Sequence, residues 1–161
     1  MSKTALLFAG QGTQCVGMGR DLAEKFPEAR ALFDRANAAL GRDLANICFN
    51  GPEADLTNTE NAQPGIFLVS WAAFQLLRQR VTGLKFEATA GLSLGEFTAH
   101  AAAGTFEFAT GLNLVFQRGS FMEEACENTK GAMLALLGGE ESAIRELAAE
   151  CDVDVANLNA P

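Results

Sequence analysis

The stretch "GLSLGE", residues 91–96, decides how this chain is read. A single hydroxyl, Ser93, stands between Leu92 and Leu94, with Gly91 two places before it and Gly95 two places after. Just upstream, "FEATA" (86–90) has the character of a short strand. Just downstream, "GEFTAHAAAG" (95–104) is small and alanine-rich, as suits a helix that packs closely on its neighbours. Glycine–x–serine–x–glycine between a strand and a helix marks a tight, strained turn that pushes the serine hydroxyl out of the backbone. The flanking residues must be small for such a turn to close. In that geometry the Leu94 N–H faces a carbonyl attacked by Ser93, and the helix sets its positive end beneath the same point. A motif with few fixed positions is weak by itself; the strand before it and the helix after it make Ser93 a reactive serine for acyl chemistry.

Outward from the turn, the rest of the chain alternates in the same way. "TALLFAG" (4–10) is an apolar run ended by glycine, the pattern of a buried strand, and "QGTQCVGMG" (11–19) is a glycine-rich loop. Residues 20–40 carry apolar side chains at helical spacing and predict two helices that break near Phe26–Pro27. "FNGPEADLTNTENAQ" (49–63) is rich in turn formers and predicts a loop, and a buried helix is expected over 64–80, with Pro64 at its first position. Further helices are expected over 106–128 and 140–151, with strands at 132–139 and from 153 onward. Strands separated by helices predict an α/β layered fold with parallel pairing. The last β element has nothing after it to pack against, so the chain reads as incomplete.

Composition narrows the function. The 161 residues suffice for one ordinary domain, and 48% hydrophobic with 20% charged residues is the balance of a soluble globular protein. The apolar runs are too short to span a bilayer and the N-terminus lacks a signal-peptide pattern, so no membrane association and a cytoplasmic location are expected. Cys15, Cys48, Cys126 and Cys151 include no C-x-x-C pair; reduced thiols are expected, with no metal site. A formal net charge of −8 argues against nucleic acid as a partner. An anionic ligand would have to be held locally, by a helix N-terminus or a placed arginine.

Arg118 is such an arginine. Its helical neighbours at i−4, i−3, i+3 and i+4 are Leu114, Val115, Phe121 and Met122. A guanidinium in an apolar stripe either snorkels to solvent, pairs with an acid such as Glu123, or meets a ligand carboxylate in two hydrogen bonds. Beside an acyl-accepting serine, it suggests an acyl group that carries its own carboxylate. "GQGTQ" (10–14) lacks the Lys-Ser/Thr of a phosphate loop, and Cys15 stands where a dinucleotide fingerprint needs glycine. What remains is a turn of exposed N–H groups at a strand end, where α/β sheets bind ligands. A serine needs a base. The one histidine, His100, lies seven residues along the same helix, roughly 10 Å away at about 1.5 Å per residue, and reads as structural.

Taken together, "FAGQGTQ", "AQPGIF", "GLSLGE" followed by Phe97, "QRGSFM" and "ANLNAP" resemble, in order and spacing, the malonyl-CoA:acyl carrier protein transacylase family. The resemblance runs along the whole chain and corresponds to the N-terminal half of such an enzyme. It implies an α/β-hydrolase-like core with an inserted ferredoxin-like subdomain. Residues 1–129 would be the first part of the core and 130–161 the first β-α-β of the insert. It further implies ping-pong transfer of malonyl from coenzyme A, through a malonyl ester on Ser93, to acyl carrier protein, for fatty acid synthesis. Coenzyme A enters as a thioester substrate and no cofactor is expected. The matching positions would be Gln11 and Leu94, whose backbone N–H groups form the oxyanion hole; Arg118, on the malonyl carboxylate; Gln63, near the site; and Asn157 and Asn159, on a loop that closes over it. The sequence departs from the family at Leu92, where histidine is usual, and the family's catalytic histidine lies beyond the equivalent of Pro161.

Three other readings compete. A serine hydrolase or thioesterase would use the same turn with water as acceptor and would have no need of Arg118. A megasynthase acyltransferase domain would share every motif. A truncated, non-catalytic chain would bind acyl carrier protein or coenzyme A, docking through basic residues such as Arg78 and Arg80.

Overall fold

The computed structural model describes residues 3–129 and 131–158. The chain divides into two compact units, Met1–Thr129 and Lys130–Pro161. The first is a mixed α/β unit. Strand β1 (Ala5–Phe8) is followed by α1 (Arg20–Lys25), α2 (Pro27–Leu40), α3 (Leu44–Asn50), α4 (Glu53–Thr57) and α5 (Thr59–Arg80). Strand β2 (Ala88–Gly91), α6 (Leu94–Ala102) and α7 (Phe108–Asn128) complete it. The strands pair in parallel, from Ala5 opposite Ala88 to Phe8 opposite Gly91. A parallel pair needs a long crossover, and the five helices between the strands provide it. The register decides where the site forms, because the loops after Phe8 and Gly91 leave the sheet side by side.

The break at Phe26 is as expected. Its extended backbone (φ −129°) closes α1 and opens α2, and Pro27 takes the first position of the new helix. The expected loop over 49–63 is instead largely helical, with the end of α3, all of α4 and the start of α5 inside it. Its turn-forming residues act as caps. The Asn58 side chain accepts from the Glu60 N–H at 3.3 Å, as the Asp43 side chain accepts from the Asn46 N–H at 3.1 Å for α3. Helix α5 therefore begins at Thr59 and Pro64 lies inside it rather than at its first position. The missing Pro64 N–H removes one hydrogen bond near the helix start, which a buried helix of 22 residues tolerates.

The core forms where α2, α3, α5 and α7 meet, around Phe33, Leu44, Phe67, Leu68, Leu112 and Val115, each fully buried. Each such side chain contributes about 1.5–3 kcal/mol by leaving water. Phe67, Trp71 and Phe108 stack with centroids 6.0–6.5 Å apart and join α5 to the start of α7. Further along α7, a Cβ on Gly119 would stand 2.9 Å from the Thr59 carbonyl oxygen. Glycine there lets α7 press onto the first turn of α5 and carries Arg118 with it.

In the second unit, the described residues form one helix, α8 (Glu141–Glu150), and no strand. The expected strands at 132–139 and from 153 are corrected to irregular chain over the described residues, so the expected β-α-β is not formed there. A strand exists only when its backbone groups are paired in a ladder. Neither segment finds such a partner among the described residues, and Met133, Leu134 and Leu137 are more than 80% exposed.

Candidate active site

Ser93 occupies the corner between β2 and α6 with φ 53° and ψ −104°, a conformation side-chain-bearing residues seldom adopt. Holding it costs about 1–3 kcal/mol, and the surrounding packing enforces it. A Cβ on Gly91 would lie 2.1 Å from the Gly95 carbonyl carbon, and one on Gly95 would lie 2.2 Å from the Phe8 carbonyl oxygen. The start of α6 thus rests directly on the end of β1, with no room for a side chain. Leu92 supplies its carbonyl, which accepts from the Gly95 N–H at 2.9 Å, while its side chain is 59% exposed. The turn asks only for the backbone at position 92, which explains why leucine is accommodated there. The Glu96 N–H is taken by the Ser93 carbonyl at 3.2 Å, so the Leu94 N–H is left at the very tip of the helix.

The Ser93 hydroxyl is exposed and accepts a 2.8 Å hydrogen bond from Arg118 Nη2. Arg118 Nη1 donates to Gln63 Oε1 at 2.7 Å, and its guanidinium lies 5.8 Å from the centroid of the Phe97 ring. Gln63 is fully buried. Its Nε2 donates to Gln11 Oε1 at 3.3 Å and contacts the Met122 sulfur at 3.1 Å. Gln11 Nε2 in turn donates to Thr59 Oγ1 at 3.4 Å. Arginine can only donate, so Gln63 must turn its oxygen toward Arg118 and its amide nitrogen toward Gln11. Gln11 must then turn its own nitrogen toward Thr59. One cation thereby fixes the sense of a chain that runs Thr59, Gln11, Gln63, Arg118, Ser93.

Among the described residues Arg118 forms no salt bridge; Glu123 does not pair with it. Its partners are a neutral amide and a neutral hydroxyl. Beside it runs an open groove of about 400 Å³ lined by Phe97, Leu114, Gln117, Phe121, Met122 and Ala125. A half-buried cation next to a strained serine, at the head of an apolar groove, can receive an anion and place what the anion is attached to against the hydroxyl. His100 takes no part in this: its Nδ1 lies 3.4 Å from Thr105 Oγ1. Arg80 is committed to Glu28 at 2.9 Å and to the Phe26 ring, and Arg78 lies over Phe74.

The structure thus gathers Ser93, Leu94, Gln11, Gln63 and Arg118 at one end of the sheet. Asn157 belongs to the second unit and is exposed; Asn159 lies outside the described residues. Sequence reasoning missed Thr59, and it met Met122 and Phe97 only as neighbours of other residues. Met122 carried a signal, since i+4 from Arg118 places it on the same helix face. Thr59 carried none, because it lies in the stretch expected to be loop, three residues before "AQPGIF". Among the described residues no group of His, Cys, Asp and Glu could hold a metal ion, and no helix is long and apolar enough to cross a membrane.

The chain as a whole is similar to known proteins. The family described as "Acyl transferase domain" matches residues 5–161. The malonyl CoA-acyl carrier protein transacylase of Bacillus subtilis is 40% identical over 166 residues, covering all of this chain and 52% of that protein. A crystal structure of the malonyl-CoA:acyl carrier protein transacylase of Helicobacter pylori superposes with a TM-score of 0.86 at 40% identity, over 92% of this chain and 48% of that one. A type II PKS acyl-carrier protein in complex with its malonyl-transacylase matches at 32% identity with a TM-score of 0.81, again over 92% of this chain and 48% of that one. The chain spans about half the length of the curated relatives it matches.

Proposed function

The chain belongs to the acyl transferase domain family, and from that premise we propose that it carries the nucleophile half of a malonyl-CoA:acyl carrier protein transacylase active in the cytoplasm. The observation that carries the reading is the Arg118 guanidinium, without a carboxylate partner among the described residues and 2.8 Å from the Ser93 hydroxyl. A hydrolase of uncharged acyl groups has no use for a cation there. An acyl group ending in a carboxylate does, because one end can be clamped while the other meets the nucleophile.

Ser93 Oγ attacks the thioester carbonyl of malonyl-CoA. The Oγ–carbon bond forms, the carbon–sulfur bond breaks, and the hydroxyl proton passes to a general base and on to the departing thiol. The backbone N–H groups of Leu94 and Gln11 stabilise the oxyanion; the free tip of α6 and the juxtaposed loop after β1 support that role. Arg118 takes the malonyl carboxylate, and Gln63 keeps the guanidinium in place. The phosphopantetheine thiol of acyl carrier protein then attacks the ester, and the malonyl group leaves on the carrier. In this reading the first unit is the start of an α/β-hydrolase-like core. The second belongs to a ferredoxin-like subdomain, in which Asn157 and Asn159 are the substrate-binding candidates. The general base comes from the portion of the family fold that follows.

The test is transfer. The full-length polypeptide that carries this chain is mixed with malonyl-CoA and holo-acyl carrier protein, and the mass of the carrier is followed. Malonylated carrier that disappears with Ser93→Ala supports the reading. Free malonate in its place, at equal turnover, makes the protein a thioesterase.

A further inference from the structure

The hydrogen bond from Arg118 Nη2 to Ser93 Oγ places the anion-binding group on the nucleophile itself. We infer that Arg118 restrains Ser93 in the empty site and releases it when a carboxylate takes over the guanidinium, so that recognising the acyl group and unmasking the serine are one event. The inference rests on the transferase reading above and adds a second source of selectivity to it.

A hydroxyl oxygen has two lone pairs. One of them is engaged by a charged donor, which withdraws electron density from Oγ and fixes the direction in which it points. Attack on a thioester needs that oxygen turned toward the carbonyl. Arg118 is free to change partner on one side only. Nη1 is anchored by the fully buried Gln63 at 2.7 Å, and the Phe97 ring flanks the guanidinium, whereas among the described residues Nη2 meets only the exposed serine. The guanidinium can therefore pivot about Nη1. A carboxylate is a stronger acceptor than a neutral hydroxyl, with hydrogen bonds roughly twice as strong, so the exchange is favourable for a malonyl group. An acetyl group brings no carboxylate and leaves Arg118 on the serine. Discrimination then arises from the availability of the nucleophile as well as from binding.

The experiment supplies the missing carboxylate separately. The full-length polypeptide is incubated with acetyl-CoA in sodium formate or in sodium chloride at equal ionic strength, and the initial rate of Ser93 acetylation is read from intact mass. Arg118→Met is measured alongside. Formate is expected to raise acetyl loading about tenfold in the unmodified protein, the scale of one charge-assisted hydrogen bond. Arg118→Met is expected to load acetyl faster without formate and to ignore formate. Acetyl loading that is unchanged or slower in Arg118→Met, or unchanged by formate in the unmodified protein, overturns the inference. Malonyl-CoA is run in parallel with the unmodified protein. If no malonyl adduct forms, the transferase reading fails, and this inference with it. If the adduct forms while acetyl loading ignores formate, the inference alone fails.

Discussion

Replacing Gly95 by alanine puts a methyl group where the end of β1 already stands. The new Cβ would lie 2.2 Å from the Phe8 carbonyl oxygen, 2.9 Å from its carbon and 3.0 Å from the Ala9 oxygen, and ordinary contact begins at 3.4 Å. All three obstacles are backbone, so none can turn aside. Helix α6 must therefore retreat from β1 by about 1 Å, and Ser93, at its tip, moves with it. Overpacking of this kind costs about 1–3 kcal/mol. Melting temperature should fall by about 2–4 °C for each kcal/mol in a domain of this size. A displacement of about 1 Å at a reacting atom costs on the order of 100-fold in rate. The assay is thermal unfolding together with the rate of Ser93 malonylation. Gly131→Ala is the control, because a Cβ there meets nothing within 4 Å and the backbone is not in the left-handed region. Gly95→Ala that melts and acylates like Gly131→Ala would refute the claim that close approach of α6 to β1 builds the site.

Other outcomes follow from the same geometry. Gln63→Glu places a carboxylate 2.7 Å from Arg118 Nη1, where it competes with the substrate; malonyl loading should fall about tenfold or more while acetyl loading changes little, and equal loss of both would contradict the role given to Arg118. Thr59→Val removes the acceptor that orients Gln11; at 3.4 Å that bond is long, so a loss at the low end of the usual range, about twofold in malonyl loading, is expected, and no change would remove Thr59 from the chain. Burial pushes the Cys48 thiol up from 9.0 to about 12, so thiol alkylation of the folded protein should stop at Cys15, Cys126 and Cys151 and reach Cys48 only in denaturant. The folded state holds that proton more tightly than the unfolded chain. Its contribution to stability is therefore complete below pH 9.0 and declines as pH rises toward 12, which alkaline denaturation of Cys48→Ala against the unmodified protein would reveal.

The parts of the structure that were legible in the sequence are those dictated by local chemistry. Gly91 and Gly95 announce a turn around Ser93 because no side chain fits at either position, and Pro27 announces a helix break because it cannot donate. Residues 49–63 were misread for an equally local reason: Asn58 is a turn former by composition and a helix cap in place, and only the helix it caps distinguishes the two. The strands expected after residue 131 depended on ladder partners, which a linear pattern cannot supply. Within the site, Arg118 was legible as a misplaced charge. Its engagement with Gln63 and Ser93 was not, since it is set by the approach of α7 to α5 at Gly119. Thr59 enters the site only because α5 starts five residues earlier than its proline suggested.

The most direct measurement is the intact mass of the full-length polypeptide after incubation with malonyl-CoA, with Ser93→Ala alongside. One malonyl group added to the unmodified protein and none to Ser93→Ala is the predicted result. Equal adduct on both, or none on either, would contradict the assignment of Ser93 as the acyl-accepting nucleophile.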